Sequence, residues 1–200
     1  MLIDLHVHST QSSCSNLSPK DIISQARSKG LDGVCITDHD STDVLSQITE
    51  GFQSDGLLVL VGMEYATPQG DFLVFGNVEA LSVGLEAPEL LAAVKQLGGA
   101  AIAAHPYRGW RPTDPAVFEE SLCSLVEVEN GRNSQIEDEL AAALACRHEL
   151  TAVSGSDAHS LAELGSYPTR FTVPITNRED LVRALNQGCC ESPSASLQVA

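Results

Sequence analysis

Two hundred residues, 43% hydrophobic and 19% charged, suffice for one domain with a full core and argue against a disordered chain. Twenty-seven acids against eleven lysines and arginines leave a formal charge of −16, which argues against a broad basic face gripping nucleic acid. No apolar run approaches the roughly 20 residues of a membrane span, Leu2–Val7 is too short and histidine-rich for a secretory signal, and the six cysteines form no CxxC pair, so a reducing cytoplasm with free thiols is expected.

In chain order, Leu2–His8 reads as a strand. Ser18-Pro19 opens a helix that Gly30 closes, with Ile22, Ile23 and Ala26 on its apolar face. Asp32–Thr37 is a second strand, followed by a helix from Ser41 to about Phe52. Leu57–Glu64 is a third strand, apolar enough to be buried on both faces. A turn leads to an extra strand, Phe72–Phe75. A helix over Pro88–Leu97 stops at Gly98-Gly99, and Ala100–Ala104 and Leu125–Glu129 are the fourth and fifth main strands. Asn133 caps a long helix to His148, striped by Ile136, Leu140 and Leu144. Ala152–Gly155 and Arg170–Val173 are further strands, Arg178–Gln187 is the last helix, and 191–200 reads as a loose tail after a single domain over 1–190.

The β-α alternation predicts parallel strands with outer helices. Candidate functional residues recur after nearly every strand, which suits a closed ring of strand ends better than one switch point in an open sheet. There is no Gly-rich phosphate fingerprint. The expected class is therefore α/β, a shortened and distorted barrel, since 200 residues are few for eight β-α units.

Five of the six histidines lie in four short motifs at those strand ends, three of them carrying an acid: Asp4-Leu5-His6-Val7-His8, Asp38-His39-Asp40, Ala104-His105-Pro106 and Asp157-Ala158-His159. Neutral imidazole with carboxylate is the ligand set of hydrolytic metal sites. His6 and His8, two apart on a strand, point to one side, and Asp4 on that side is expected to orient a ligand histidine. Asp157 and His159 repeat the spacing. Glu64 ends the third strand, and its carboxylate can bridge two cations where an imidazole cannot. Asp40 reads equally as a helix N-terminal acid, and His148, inside a helix, as structural.

These motifs, together with Gly62-Met63-Glu64 and Gly155-Ser156 before Asp157, stand in the order of the PHP domain family, named for polymerase and histidinol phosphatase, which the chain resembles from Asp4 to about Val173. The resemblance implies a distorted barrel of about seven strands, a (β/α)7-type fold. It implies two or three divalent metals, commonly manganese, zinc or iron, and phosphoester hydrolysis. Position by position it makes His6, His8, Glu64, His105, Asp157 and His159 metal ligands and His39 a ligand or close neighbour. Glu127-Val128-Glu129-Asn130 resembles the stretch some members use to complete the site, without choosing among its residues.

Two departures favour two metals over three. Ser13-Cys14-Ser15-Asn16 stands where many members have an acid or histidine, leaving Cys14 as a thiolate ligand or a loop cysteine. The extra strand, Asp71–Phe75, lacks the histidine some phosphoesterase members place there.

Two cations can lower the pKa of water between them, polarise phosphoryl oxygens and orient in-line attack. Asp157 or Asp38 is expected to accept the water's proton. Arg108 is expected to hold the substrate phosphate, with Arg111 and Arg132 as weaker candidates. Three functions follow: a phosphoesterase on a small phosphorylated metabolite or nucleotide, an exonuclease with nucleic acid only as substrate, or a non-catalytic metal-stabilised module. The oligomeric state is left open.

Overall fold

The structure is a computed structural model that describes residues 1–192. Its strands are β1 (Leu2–Val7), β2 (Gly33–Ile36), β3 (Gly51–Phe52), β4 (Leu58–Val61), β5 (Met63–Thr67), β6 (Gly70–Phe75), β7 (Ala100–Ala103), β8 (Leu125–Asn130), β9 (Thr151–Gly155), β10 (Thr169–Phe171) and β11 (Cys190–Glu191). Its α-helices are α1 (Pro19–Ala26), α2 (Ala87–Gln96), α3 (Ala116–Glu119), α4 (Gln135–His148) and α5 (Arg178–Asn186).

The strands form two mixed sheets, in the orders β11-β10-β1-β2-β4-β3 and β5-β6-β7-β8-β9. The expectation of all-parallel strands fails at β5–β6–β7, at β3–β4 and at β10, which pairs antiparallel with β1. Connection length is the reason. Only Pro68 and Gln69 separate β5 from β6, and so short a loop allows only a hairpin.

Nor do the strands close as one continuous ladder. The sheets touch instead through two isolated bridges, Val7–Ala158 and His39–Glu64. The strand expected over Leu57–Glu64 breaks between them at Gly62, where a Cβ would lie 2.6 Å from the Phe75 ring. Both seams fall among the residues the sequence singles out.

Inside, Ile3, Leu5, Leu58, Leu60, Leu73, Phe75, Ile102 and Val153 meet between the sheets, with Leu181 and Leu185 of α5 packed against them. The outer face of one sheet is covered by α2, α3 and α4, and that of the other by α1. α1 starts as expected: Ser18 Oγ accepts from Asp21 N, Pro19 is the first helical residue, and Gly30 ends the following turn at φ 86°.

Three expectations need correction. The helix over Ser41–Phe52 is one 3-10 turn, Asp43–Ser46, plus β3. Ser41 and Ser46 bond instead to the Asp43 backbone, and only Val44 of this turn is buried, so neither propensity nor packing sustains a helix. In α4 the cap is Ser134, in a reciprocal box with Glu137, not Asn133. Its buried face is Ala141, Leu144 and Ala145, whereas Ile136 and Leu140 point to solvent. Finally, Glu191 and Ser192 are not part of a loose tail: β11 pairs with β10 and Ser192 is buried. Residues 193–200 of that expected tail lie outside the described residues.

Candidate metal centre

The carboxyl ends of β1, β7, β8 and β9 and the start of β5 deliver the site. His6 and His8 project together, their Nε2 atoms 3.1 Å apart. Two ring nitrogens this close cannot both carry protons, so at least one presents a bare lone pair. The other nitrogen of each ring is occupied: His6 Nδ1 lies 3.0 Å from Glu127 Oε1 and His8 Nδ1 3.2 Å from Ser12 Oγ. That arrangement turns Nε2 inward, as ligating histidines require.

Glu64 stands at the centre. Its Oε1 is 2.9 Å from His105 Nε2. Its Oε2 lies 3.3 Å from His6 Nε2, 3.0 Å from His8 Nε2 and 3.1 Å from His39 Nδ1. Despite three nearby nitrogens, this buried oxygen has no hydrogen-bond partner. A buried carboxylate oxygen without a donor is costly unless a cation completes it. His105 Nδ1 is likewise buried and unpartnered. Asp157 Oδ1 approaches His8 Nε2 at 3.3 Å and His6 Nε2 at 3.6 Å.

Three donor sets, each within 4.8 Å, result among the described residues: His6-Glu64-His105, His6-His8-Asp157, and His8-Cys14-His39-His159. Nitrogen, carboxylate oxygen and sulfur at this spacing suit divalent cations such as zinc, so the residues fit the implied metals.

The carboxylates favour positive charge at the histidine cluster. Burial would lower His6, but Asp157, Glu127 and Glu64 outweigh it and hold its pKa well above the ordinary value. Burial would raise Glu64, yet His6, His105 and His8 hold it well below the usual carboxylate range. Asp157 is lowered too, burial being overcome by His6 and His8. His39 and His159, at the solvent side, are lowered chiefly by burial, which favours the neutral, ligating imidazole.

The backbone is strained where the site is. His105 (φ 29°) and Asp157 (φ 50°) both lie in the left-handed region, and β8 shifts register between Glu127 and Glu129. Non-glycine residues hold such conformations only where surrounding structure imposes them.

The other sequence-singled residues divide plainly. Glu127 faces the cluster: besides His6, its carboxylate accepts from His105 N and Asn130 Nδ2, both at 2.9 Å. Glu129 turns away to Ser192. Asn130 bridges Glu127 to Arg108. Cys14, in its exposed loop, reaches the site with Sγ 3.1 Å from His159 Nε2.

Asp4 does not orient a histidine ring. Ile3 and Leu5 pack inside but Val7 packs outside, and the register shift between Asp4 and Val7 breaks the alternation that would set Asp4 beside His6. Asp4 instead accepts from Ser156 N, Ser156 Oγ and Gly165 N, tying down the loop that carries Asp157. Asp38 lies behind the ligands, its carboxylate accepting from the backbone and hydroxyl of both Ser9 and Ser12.

Arg108 is nearly buried, its Nη2 2.8 Å from Asp157 Oδ2 and 2.8 Å from Asn130 Oδ1. Arg111 grips Asp71 through Nε and Nη2, which spends its guanidinium on the β5–β6 hairpin. Arg132 is exposed, 3.9 Å from Glu163. Asp40 caps no helix; its Oδ1 accepts from Ala66 N beside the Glu64 seam. His148 ends α4 near Phe118, away from the site.

The family model described as PHP domain matches residues 4–103, and that described as PHP-associated matches residues 135–190. The uncharacterized protein MJ0417 of Methanocaldococcus jannaschii is 31% identical over 190 residues, covering 90% of this chain and 75% of that protein. Among solved structures, PsfC from Pseudomonas syringae has a TM-score of 0.73 at 21% identity, covering 90% of this chain and 87% of that one. A two-domain Bacteroides vulgatus protein containing a predicted PHP-like metal-dependent phosphoesterase scores 0.70 at 17% identity, covering 95% and 63%. The lesion-specific endonuclease PfuEndoQ from Pyrococcus furiosus scores 0.70 at 19% identity, covering 96% and 57%. At these identities the structural likenesses speak to fold alone.

Proposed function

The chain belongs to the PHP domain family, and on that premise we propose that it is a metal-dependent phosphoesterase acting on a small phosphorylated metabolite or nucleotide. The observation that carries this reading is Glu64 Oε2, buried and without a donor among three imidazole nitrogens at 3.0–3.3 Å. His6, His8, Glu64, His105 and Asp157 would hold two inner divalent cations, manganese, zinc or iron, with His39 and His159 at the outer edge. Bound cations lower the pKa of water and polarise phosphoryl oxygens.

The chain's own residues supply the rest. Glu127 fixes the ring of His6. Asp38 fixes Ser12, which steadies His8 Nδ1 and accepts from His39 N, so its part is positioning rather than proton transfer. Asp157, held ionised, is a better ligand than proton acceptor at neutral pH. Arg108 would orient a phosphate oxygen opposite Asp157, its guanidinium offering donors beyond those already used. A mechanism of this kind needs no serine or cysteine nucleophile.

A second reading, cleavage at an oligonucleotide end, is favoured by Trp110, 78% exposed beside Arg108, where a base could stack. The charge of −16 weighs against a long polyanion. No helix among the described residues is long and apolar enough to cross a membrane.

The test is hydrolysis of a phosphate-ester panel by manganese-supplied protein against an Asp157→Ala control. Nucleotides, sugar phosphates, histidinol phosphate and a short oligonucleotide belong in it. Metal-dependent turnover of a monoester, lost in the control, is expected. Preference for the oligonucleotide would move the assignment to the second reading. No turnover above the control, with metal bound, would favour a non-catalytic metal-stabilised module.

A further inference from the structure

Arg108 reaches Asp157 from a loop, yet its guanidinium is aimed from the N-terminal end of α4, a helix that carries none of the candidate ligands. We propose that Asn133 and Asp138 are positioning residues for Arg108. Asp138 fixes the Asn133 amide, and Asn133 together with Asn130 fixes the guanidinium, so that its remaining donors face the substrate phosphate. The inference rests on the phosphate role given to Arg108 above and adds to it the device that sets the arginine's aim.

Three acceptors converge on one nitrogen. Arg108 Nη2 lies 2.8 Å from Asp157 Oδ2, 2.8 Å from Asn130 Oδ1 and 3.2 Å from Asn133 Oδ1. The Arg108 side chain is nearly buried, so water competes little for these bonds. Among the described residues, every hydrogen bond and ion pair of the guanidinium runs through Nη2. The hydrogens of Nε and Nη1 are left for another acceptor. Trp110 lies across the guanidinium, its ring centre 5.7 Å from Cζ, so the planar group is held at one nitrogen by amides and on one face by an aromatic ring.

An asparagine amide accepts at one end and donates at the other, so it helps an arginine only when turned the right way. Asn130 Nδ2 donates to Glu127 Oε2 at 2.9 Å, which turns its Oδ1 to Arg108. Asn133 Nδ2 donates to Asp138 Oδ1 at 2.9 Å, which does the same for the second oxygen. Asp138 Oδ1 also accepts from Asn130 N at 3.3 Å, so one carboxylate steadies both asparagines. Reversed, either amide would set its NH2 group against the guanidinium. The backbone is held from the same place: Glu137 Oε1 accepts from Gly109 N at 2.9 Å while its Oε2 closes the α4 capping box with Ser134. Asn133 and the first turn of α4 thus grip the Arg108 loop by side chain and backbone. Among the described residues, Asn133 and Asp138 bond to no candidate metal ligand, which separates their role from metal binding.

Double-mutant cycles on the manganese-loaded protein test this. Asn133→Ala, Asp138→Ala and Asp138→Asn are each made alone and together with Arg108→Ala. The readouts are KM and kcat for the preferred monoester and the calorimetric Kd of inorganic phosphate. Asn133→Ala and Asp138→Ala are expected to raise KM and the phosphate Kd about tenfold with kcat held, the scale of one lost hydrogen bond to a charged group. Asp138→Asn keeps the accepting oxygen and should stay near the wild type. Once Arg108 is gone, none of the three should raise either constant further. A merely structural role would instead lower the melting temperature and leave KM alone. Unchanged KM and Kd in both alanine variants, equal rises with and without Arg108, or a fall in kcat alone would overturn the proposal, the last by assigning the network to Asp157. Coupling in phosphate binding by a protein that hydrolyses nothing would leave the positioning role standing and remove the phosphoesterase reading. Hydrolysis without coupling would do the reverse, and a wild type that neither hydrolyses the panel nor binds phosphate would overturn both.

Discussion

The inner and outer halves of the candidate metal centre are made of similar side chains but held in different ways. Inside, His6, Glu64, His105 and Glu127 are buried, and each is braced by another strand end. Outside, His39, Cys14 and His159 sit on loop segments, half-buried or exposed, and are positioned by serines and backbone carbonyls. The inner half is thus pre-organised by the sheets and the outer half by loop hydrogen bonds. Loss of one brace should be felt far more inside than outside.

The sharpest way to break the contrast is Glu64→Gln. Turnover should fall about a thousandfold, since several kcal/mol of charge stabilisation are lost at about 1.4 kcal/mol per decade. Metal content, measured by elemental analysis, should drop with it; unchanged content would show that Glu64 is no ligand.

Next comes Gly155→Ala. A Cβ there would run into Glu127 Oε1 and lie 2.5 Å from His6 Cβ, so the variant should lose inner-site metal while its far-ultraviolet circular dichroism stays native. Full metal affinity would mean that this wall yields. Glu127→Gln keeps the shape but weakens the hold on His6, and about a 10- to 100-fold loss in metal affinity or activity is expected. A loss confined to the outer position would invert the comparison.

Arg108→Ala is a finer probe. A raised KM with kcat preserved is expected if the guanidinium meets substrate. A fall in kcat alone would instead make it a brace for Asp157.

The smallest expected effect lies behind the site. Burial pushes the Asp138 carboxyl up to about 6, against bonds from Asn133 and the Asn130 backbone. In the unfolded chain it titrates near 3.9. The fold therefore binds the proton more tightly. This contribution to stability is complete below about pH 4 and is lost as pH rises through about 6. Asp138→Asn should flatten that part of the melting-temperature profile; an unaltered slope would assign it elsewhere.

Much of the site was legible because its chemistry is local. His6-Val7-His8 and Asp157-Ala158-His159 carry their own geometry, and each arrives at the carboxyl end of a recognisable strand or just beyond it. The absence of an all-parallel sheet was legible only in part. The two-residue connection at Pro68-Gln69 signals a hairpin, but the antiparallel return of β10 onto β1 depends on contacts some 170 residues apart. Helix 41–52 misled because apolar residues recur there at a helical spacing, although only Val44 is fully buried and Leu45 and Ile48 are only partly covered. The α4 stripe misled because Ile136 and Leu140 outrank alanine in hydrophobicity, although the tight approach to β8 favours Ala141 and Ala145.

The sequence by itself determined the family, the α/β class and the set of residues brought to one end, since ligand type and strand periodicity are properties of short segments. Tertiary structure alone decided which neighbour each would have. It chose Glu127 over Glu129, moved Asp4 and Asp38 to supporting places and brought Cys14 to His159. Those choices turn on register shifts and loop paths of a few ångströms, set by packing across the whole fold rather than by any residue's own preference.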